Sequence, residues 1–231
     1  MSSIVKRAPR VFLIRHGETE WSQLGKHTGR TDIELTANGK AQVIRSGKIL
    51  IGSGKIIDPQ RVVKIFVSPR IRAQQTYQLL FPSTDHTYVK ETSENIREWE
   101  YGRYEGLLTS EIKSQRKDRG LDINSSWNIW VDGCEDGESP TEVTDRLDKF
   151  IIQIKEIQKL QMHEENSADV VVIAHGHILR AFAKRWVGFE LSMNLRMILE
   201  PGAIGVLSYD HNNIHEPAIL LGVNFGSEGS S

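Results

Sequence analysis

The sequence predicts an α/β protein with a doubly wound, mostly parallel sheet flanked by helices. Three observations carry that reading. Short β-branched runs alternate with helical patterns along most of the 231 residues, as crossover connections in a parallel sheet require. One run, "DVVVIA" at 169–174, is continuously apolar after its aspartate, as strands buried on both faces are. The run "VFLIR" at 11–15 stops on adjacent Arg15 and His16, and open α/β sheets bind ligands beyond the carboxyl ends of their strands.

Residues 10–15 read as the first strand. Thr36 is placed as a helix N-cap, and "ANGKAQVIRSGKILI" then carries Ala41, Ile44 and Ile49 at loose helical spacing. "VKIFVS" at 63–68 reads as a second strand, stopped by Pro69, followed by a helix in "RAQQTYQLLF" and a brief third strand in "HTYVK". "SPTE" at 139–142 forms a capping box: Ser139 caps, Pro140 suits the first turn, and Glu142 reaches back. Val143, Leu147, Phe150, Ile151, Ile154 and Ile157 follow at a helical period and are expected to face the core. Residues 178–187 read as a helix and "AIGVLSY" as a last strand. One domain over 1–231 is expected, with a long insertion at about 91–140 and a disordered tail in "GSEGSS", 226–231.

Composition limits the function classes. The chain is 39% hydrophobic and 26% charged with a formal net charge of −1. A chain of this size buries roughly 70–75% of its unfolded surface, so it needs no staple. Nucleic acid and membrane surfaces usually demand a basic patch, and neither is an expected partner. No window approaches transmembrane length. The single cysteine, Cys134, allows no internal disulfide, and "MSSIVKRAPR" has no secretory pattern. A cytoplasmic protein is expected, with the nucleus and a homo-oligomer left open.

Three strand ends hold the informative residues: Arg15-His16, then Ser68-Pro69-Arg70, then His175-Gly176-His177. A lone histidine at a strand end is commonly a hydrogen-bonded structural residue, and Arg70 alone would read as a surface or N-cap charge. The repetition of one oddity at three ends weakens those readings together. If the strands are parallel neighbours, two histidines and two arginines converge, and they repel one another unless a dianion sits among them. Phosphate fits, because arginine forks match its oxygens bidentately.

Phosphate binding alone needs no histidine, whereas phosphoryl transfer can use an imidazole nitrogen as nucleophile. Arg15 and Arg70 are expected to disfavour protonation of His16, with a backbone carbonyl holding its other nitrogen. Gly17 is expected to let the chain approach the phosphate without a Cβ in the way. "NIREWEYGRYEG" at 95–106 offers Glu98, Glu100 and Glu105 as candidate acids, and the residues themselves leave that choice open. His175 and His177 could be read as a metal pair, but no third ligand follows at a recognisable spacing, and neither metal nor other cofactor is expected.

The motifs "LIRHGETEW", "SPRIRAQQT", "REWEYGRYEG" and "VIAHGHILR", in that order, resemble the histidine phosphatase superfamily, also called the phosphoglycerate mutase-like superfamily. The resemblance covers about residues 10–209 and implies the phosphoglycerate mutase-like fold. It implies that His16 is the phosphorylated nucleophile, that Arg15, Arg70 and His175 complete the phosphate pocket, and that Glu98 is the acid and base. "HTGRTDIELT" at 27–36 is similar to the family's substrate loop, placing Thr28 and Gly29 near the ligand. Many members carry Asn where this chain has Ser22, a binding position by the same resemblance, as is Gly176.

Within the family, mutases carry paired arginines after a tryptophan in the insertion. Here that stretch, "WNIWVDGCEDGESPTE", is acidic, which favours a phosphatase over a mutase. The finer resemblance is to fungal sedoheptulose 1,7-bisphosphatases. It implies a metal-independent sugar bisphosphatase that removes the 1-phosphate of sedoheptulose 1,7-bisphosphate, with fructose 1,6-bisphosphate secondary, in carbohydrate metabolism that feeds ribose 5-phosphate synthesis. A sugar bisphosphate is then the small-molecule partner, lined by Glu98, Trp99, Glu100, Tyr101, Arg180 and His211. Alternatives are a mutase-type phosphotransferase, a broad-specificity sugar phosphatase, a non-catalytic phosphate-binding module, or a metal-dependent hydrolase on His175 and His177. The segment near 190–202 looks shortened relative to those bisphosphatases.

Overall fold

Side chains alternate across a strand, so a strand apolar at every position must be covered on both faces. That is the situation of β1 (Val11–Arg15), where Val11, Phe12, Leu13 and Ile14 are all at most 3% exposed. The computed structural model describes residues 8–82, 87–162 and 168–222. Among these, β1 joins β2 (Val62–Val67), β3 (Val89–Thr92), β4 (Asp169–Ala174), β5 (Ile204–Tyr209) and β6 (Pro217–Ile219) in one sheet of order β3-β2-β4-β1-β5-β6. The first four strands in that order are parallel, while β5 runs antiparallel to both β1 and β6. The expected strand in "HTYVK" lies a little later in the chain, over Val89–Thr92; its first residue and the tail at 226–231 fall outside the described residues.

The alternation sorts the core into two layers. Val11, Leu13, Phe66, Val170 and Val172 face one helical layer, built on α6 (Pro140–Lys159) and α7 (Gly176–Trp186). Phe12, Ile14, Ile65, Val67, Val171 and Ile173 face the other, with Val43 of α2 (Ala37–Leu50) and Ala73 and Leu80 of α3 (Ile71–Leu80). The caps follow the sequence: Thr36 Oγ1 accepts from Gly39 N, and Ser139 and Glu142 close a reciprocal capping box. Val143, Leu147, Phe150, Ile151 and Ile154 are buried as the periodicity requires. Helix α7 starts at Gly176, two residues before the expected position, with His175 as its N-cap.

Within 91–140 lie α4 (Thr109–Asp118) and α5 (Ile129–Asp132); Ile112 of α4 and Ile96, Tyr101, Tyr104 and Trp127 of the connecting segments belong to the cluster under α6 and α7. The short α1 (Glu20–Gln23) follows β1. At the sheet edge opposite the carboxyl ends of the parallel strands, Arg10 clamps Asp169, with Nη2 2.6 Å from Oδ2 and its backbone N–H donating to Oδ1 at 2.9 Å. No helix among the described residues is long and apolar enough to cross a membrane.

Candidate active site

Because β1, β2 and β4 are parallel neighbours, Arg15-His16, Ser68-Arg70 and His175-His177 emerge at one sheet edge. The rings of His16 and His175 face each other, with centroids 5.1 Å apart. His16 is buried. Its Nδ1 lies 2.7 Å from Gly17 O, and a carbonyl only accepts, so Nδ1 carries the proton and Nε2 keeps its lone pair. Burial first, then the guanidinium groups of Arg72 and Arg15, hold protonation of His16 well below its ordinary range. Of the two arginines expected to do this, Arg15 is found, and Arg72, two residues on from Arg70, stands in Arg70's place.

Arg72 lies on the inward stripe of α3, with Ala73, Thr76 and Leu80. Its Nε donates to Nδ1 of His175 at 3.1 Å, so that nitrogen carries no proton, and His175 Nε2 donates to Ser68 Oγ at 2.6 Å. Nη1 donates to Thr31 O, and Nη2 to Thr28 O and Gly29 O. One buried guanidinium thus ties the second histidine to the loop at 28–31. The signal was in the sequence: Arg72 and Thr76 are four residues apart on the apolar stripe. Arg70 is the N-cap residue of α3, with a buried Nε that has no partner among the described residues, and its charge lowers the proton affinity of His175.

Gly17 is required for a reason other than the one expected. A Cβ there would meet Val43 Cγ2 at 2.7 Å and Gly39 O at 3.1 Å, so α2 packs behind the loop, and the conflict is with the helix. Thr76 Oγ1 accepts from Gly17 N at 3.1 Å and holds the same turn from α3. Arg15 donates from Nη1 to Leu199 O, and its buried Nε has no partner among the described residues. Its guanidinium lies over Gly176, where a Cβ would come within 3.3 Å of Cζ.

The three glutamates separate by position. Glu98 is buried, and its carboxylate accepts from Trp99 N and Ile178 N at 2.9 Å and from His177 N at 3.1 Å. Two of those donors are first-turn amides of α7, which have no partner within the helix. Glu100 instead pairs with Arg30. Glu105 accepts from Gly29 N and Thr31 N, each at 3.0 Å, and staples the loop.

A cavity of about 350 Å³ opens above this edge, lined by Arg15, His16, Ser22, Thr28, Glu98, Tyr101, Gly176 and Arg180 among the expected residues. Ser22 uses its hydroxyl in a capping box with Thr19, accepting from Thr19 N and donating to Thr19 O, each at 2.8 Å. Two further histidines line the cavity, His27 and His177. Their rings stack at 5.6 Å; His27 Nδ1 donates to Leu107 O, and Tyr101 OH lies 2.7 Å from His177 Nδ1. Burial is the leading cause that lowers the proton affinity of both rings.

Other expected residues lie elsewhere. Trp99 is fully buried in the core, with Nε1 donating to Glu138 O. Gly29 is pressed against Trp99 O, where a Cβ would stand at 2.7 Å, and is a packing glycine of the loop. His211 is at the wrong end of the molecule for the cavity: β5 is antiparallel to β1, so Ile204 pairs with Ile14 at the site edge and Leu207 with Val11 at the far end. His211 follows the end of β5, exposed, and lies 2.7 Å from Glu216.

A neutral imidazole with a free lone pair, the part-buried guanidinium groups of Arg15 and Arg180 and the anchored Glu98 carboxylate line one polar cavity on an α/β sheet, an arrangement suited to the hydrolysis of a phosphoric monoester. Residues 11–218 match the histidine phosphatase superfamily (branch 1). The chain is 39% identical to the sedoheptulose 1,7-bisphosphatase of Saccharomyces cerevisiae, covering 95% of this chain and 94% of that protein. It is 35% identical to an acid phosphatase of Mycobacterium tuberculosis, covering 93% of each. A solved structure of an open-reading-frame product from Mycobacterium tuberculosis superposes with a TM-score of 0.72 at 32% identity, covering 93% of this chain and 97% of that one. The chain belongs to the histidine phosphatase superfamily.

Proposed function

We propose that the chain is a metal-independent sugar bisphosphatase acting through a phosphohistidine on His16. Its substrate is a ketose bisphosphate cleaved at the 1-phosphate: sedoheptulose 1,7-bisphosphate first, fructose 1,6-bisphosphate second. The observation that carries the reading is that His16, neutral and tied through Nδ1 to Gly17 O, lines the same cavity as the anchored Glu98 carboxylate. The yeast relative's substrate supports the choice of sugar.

In the first step His16 Nε2 forms a bond to phosphorus as the phosphorus–oxygen bond to the sugar breaks. Glu98, whose carboxylate takes up a proton when the phosphate dianion binds beside it, delivers that proton to the departing oxygen. Arg15, in the cavity wall, offers fixed positive charge to the equatorial oxygens, and Arg70, at the N-cap of α3 and outside the lining residues, adds to the positive field, stabilisation of the kind that dominates phosphoryl transfer. In the second step Glu98 takes a proton from water, which attacks phosphorus, and the nitrogen–phosphorus bond breaks. His175, with both ring nitrogens engaged inside the protein, backs His16 as a neutral wall.

Rapid quench with radiolabelled fructose 1,6-bisphosphate tests the reading. An acid-labile, alkali-stable phosphoenzyme is expected, absent in His16→Ala, together with phosphate release across a panel of sugar phosphates. An acid-stable adduct, or near-parental turnover by His16→Ala, would overturn it. Isomer formation without phosphate release would identify a mutase instead.

A further inference from the structure

Of residues 97–100, only Glu98 lines the catalytic cavity. Its neighbours in the chain are gripped by a buried ion cluster. Glu138, immediately before the capping box of α6, is 5% exposed. Its Oε1 accepts from Arg97 Nη2 and Arg146 Nε, each at 2.8 Å, and its Oε2 from Arg146 Nη2 at 2.8 Å and Glu100 N at 3.0 Å. Arg146, on the buried stripe of α6, donates from Nη1 to Asn95 O at 2.7 Å and to Arg97 O at 3.1 Å. The Glu138 backbone adds two bonds: its N–H donates to Glu100 O at 2.8 Å, and its carbonyl accepts from Trp99 Nε1 at 2.9 Å.

The two backbones are also pressed together. A Cβ on Gly137 would stand 2.1 Å from Glu100 O, and one on Gly102 would stand 2.1 Å from Glu135 O. The chain is therefore tied on both sides of Glu98, at Arg97 before it and at Trp99 and Glu100 after it. This is more than fastening requires. Tyr101, Tyr104 and Trp127 already anchor the same region in the core, and apolar contact has no direction. A buried carboxylate between two guanidinium groups is costly to desolvate, but a fork on a carboxylate fixes orientation. The Glu98 carboxylate is held at its tip by Trp99 N, His177 N and Ile178 N, and those bonds place its oxygens only while the backbone beneath them stays put.

We propose that Glu138, with Arg146 as its counter-ion, is a positioning residue for the reaction: it holds the backbone on both sides of Glu98 so that the Glu98 carboxyl meets the departing oxygen. The proposal rests on the phosphatase reading above and adds to it a residue outside the cavity wall that acts only through Glu98. Without the Glu138 charge, Arg97 and Arg146 lose the acceptor they share, and Glu100 N loses its partner. The segment can then shift while the core keeps the fold, and the loss falls on the step that uses Glu98.

Glu138→Gln keeps the size of the side chain and removes the charge that the two guanidinium groups share. Its kcat on fructose 1,6-bisphosphate should fall about 10- to 100-fold, the scale of a misplaced catalytic group. On p-nitrophenyl phosphate, whose leaving group needs little protonation, the fall should be about threefold or less. Added to Glu98→Gln, the same substitution should cost no more than about twofold further, because residues that act as a unit are not additive. The amide resonances of His177 and Ile178 should shift in the direction that Glu98→Gln shifts them. Thermal melts check the fold. If Glu138→Gln does not fold, Glu138→Met with Arg146→Met replaces the buried pair by apolar side chains, an exchange that is often neutral for stability, and should give the same pattern. Equal losses on both substrates, an undiminished further loss in the Glu98→Gln protein, or unmoved amide resonances would overturn the positioning role and leave Glu138 a fastening of the fold. Failure of the unsubstituted protein to release phosphate would remove the phosphatase reading while the amide resonances still judged the positioning.

Discussion

The ring centroids of His16 and His175 stand 5.1 Å apart with their planes tilted by 58°. Each ring has a fixed tautomer: His16 through the Gly17 carbonyl, and His175 through the Arg72 Nε–H. The pair comes from distant parts of the chain and meets because β1 and β4 are parallel, with Arg15 opposite Ala174 in register. If His16 attacks phosphorus as proposed, a tautomer set before substrate arrives spares it reorganisation at that moment.

Glu98→Gln keeps the shape of the side chain and one acceptor oxygen but removes the transferable proton. Turnover of fructose 1,6-bisphosphate should fall about 10²- to 10⁴-fold. Hydrolysis of p-nitrophenyl phosphate, whose leaving group needs little protonation, should fall far less. Equal losses on both substrates would mean that Glu98 only holds the first turn of α7.

Arg72→Lys tests the positioning role of the buried guanidinium. An ammonium has three donors and no planar fork, and it cannot serve His175, Thr28, Gly29 and Thr31 together. Each charged hydrogen bond lost should cost about 1.5–3 kcal/mol, read from urea midpoints. The histidine tautomer should change with it, and nitrogen NMR of His175 is the readout that a purely structural role would leave still.

Glu105→Ala removes the acceptor for Gly29 N and Thr31 N and should loosen the loop that carries His27 and Thr28 into the cavity. Unpaired amides cost about 1–3 kcal/mol. Steady-state kinetics should show KM for the sugar bisphosphate rising several-fold while kcat changes little. A loss confined to kcat would place Glu105 in the chemistry.

Stability should fall on mild acidification. His16, His27, His175 and His177 all have lowered proton affinity in the folded protein, chiefly through burial. In the unfolded chain they titrate near about 6.5. Below that pH the unfolded state holds more protons than the folded one, so the unfolding free energy decreases as pH drops, and above about 7.5 these groups contribute no slope. His211 acts in the opposite direction, because Glu216 and Asp210 raise its proton affinity, but it is exposed and screened. Urea unfolding between pH 7.5 and 5.5 should show proton uptake, and His177→Asn should make the dependence shallower. A flat dependence would mean that the rings are solvated in the folded state.

The legible parts of the site were those written in consecutive residues. Arg15 and His16 interrupt an apolar strand, and His175 follows one, so each marked its own place. Arg70 touches the strand end in sequence and is therefore the arginine that local pattern marks, whereas the phase of α3 turns Arg72 inward beside Ala73 and Thr76. The reason for Gly17 was also hidden, since the atom that a Cβ would strike belongs to Val43 on a helix that packs behind it. Trp99 and Glu100 sit next to Glu98 in the chain, yet one is core and the other pairs with Arg30.

The sequence by itself determined the sheet-and-helix alternation, the caps at Thr36 and Ser139, the core stripe of α6, and the residues at the three strand ends. Those signals depend on periodicity and capping, which act over a few residues. The tertiary structure decided which glutamate faces the cavity, which arginine holds the second histidine, and which end of the sheet His211 occupies. These depend on pairings between distant segments: the antiparallel register of β5 on β1, and the first-turn amides of α7 against the Glu98 carboxylate. Local pattern carries no information about which distant backbone will supply the partner.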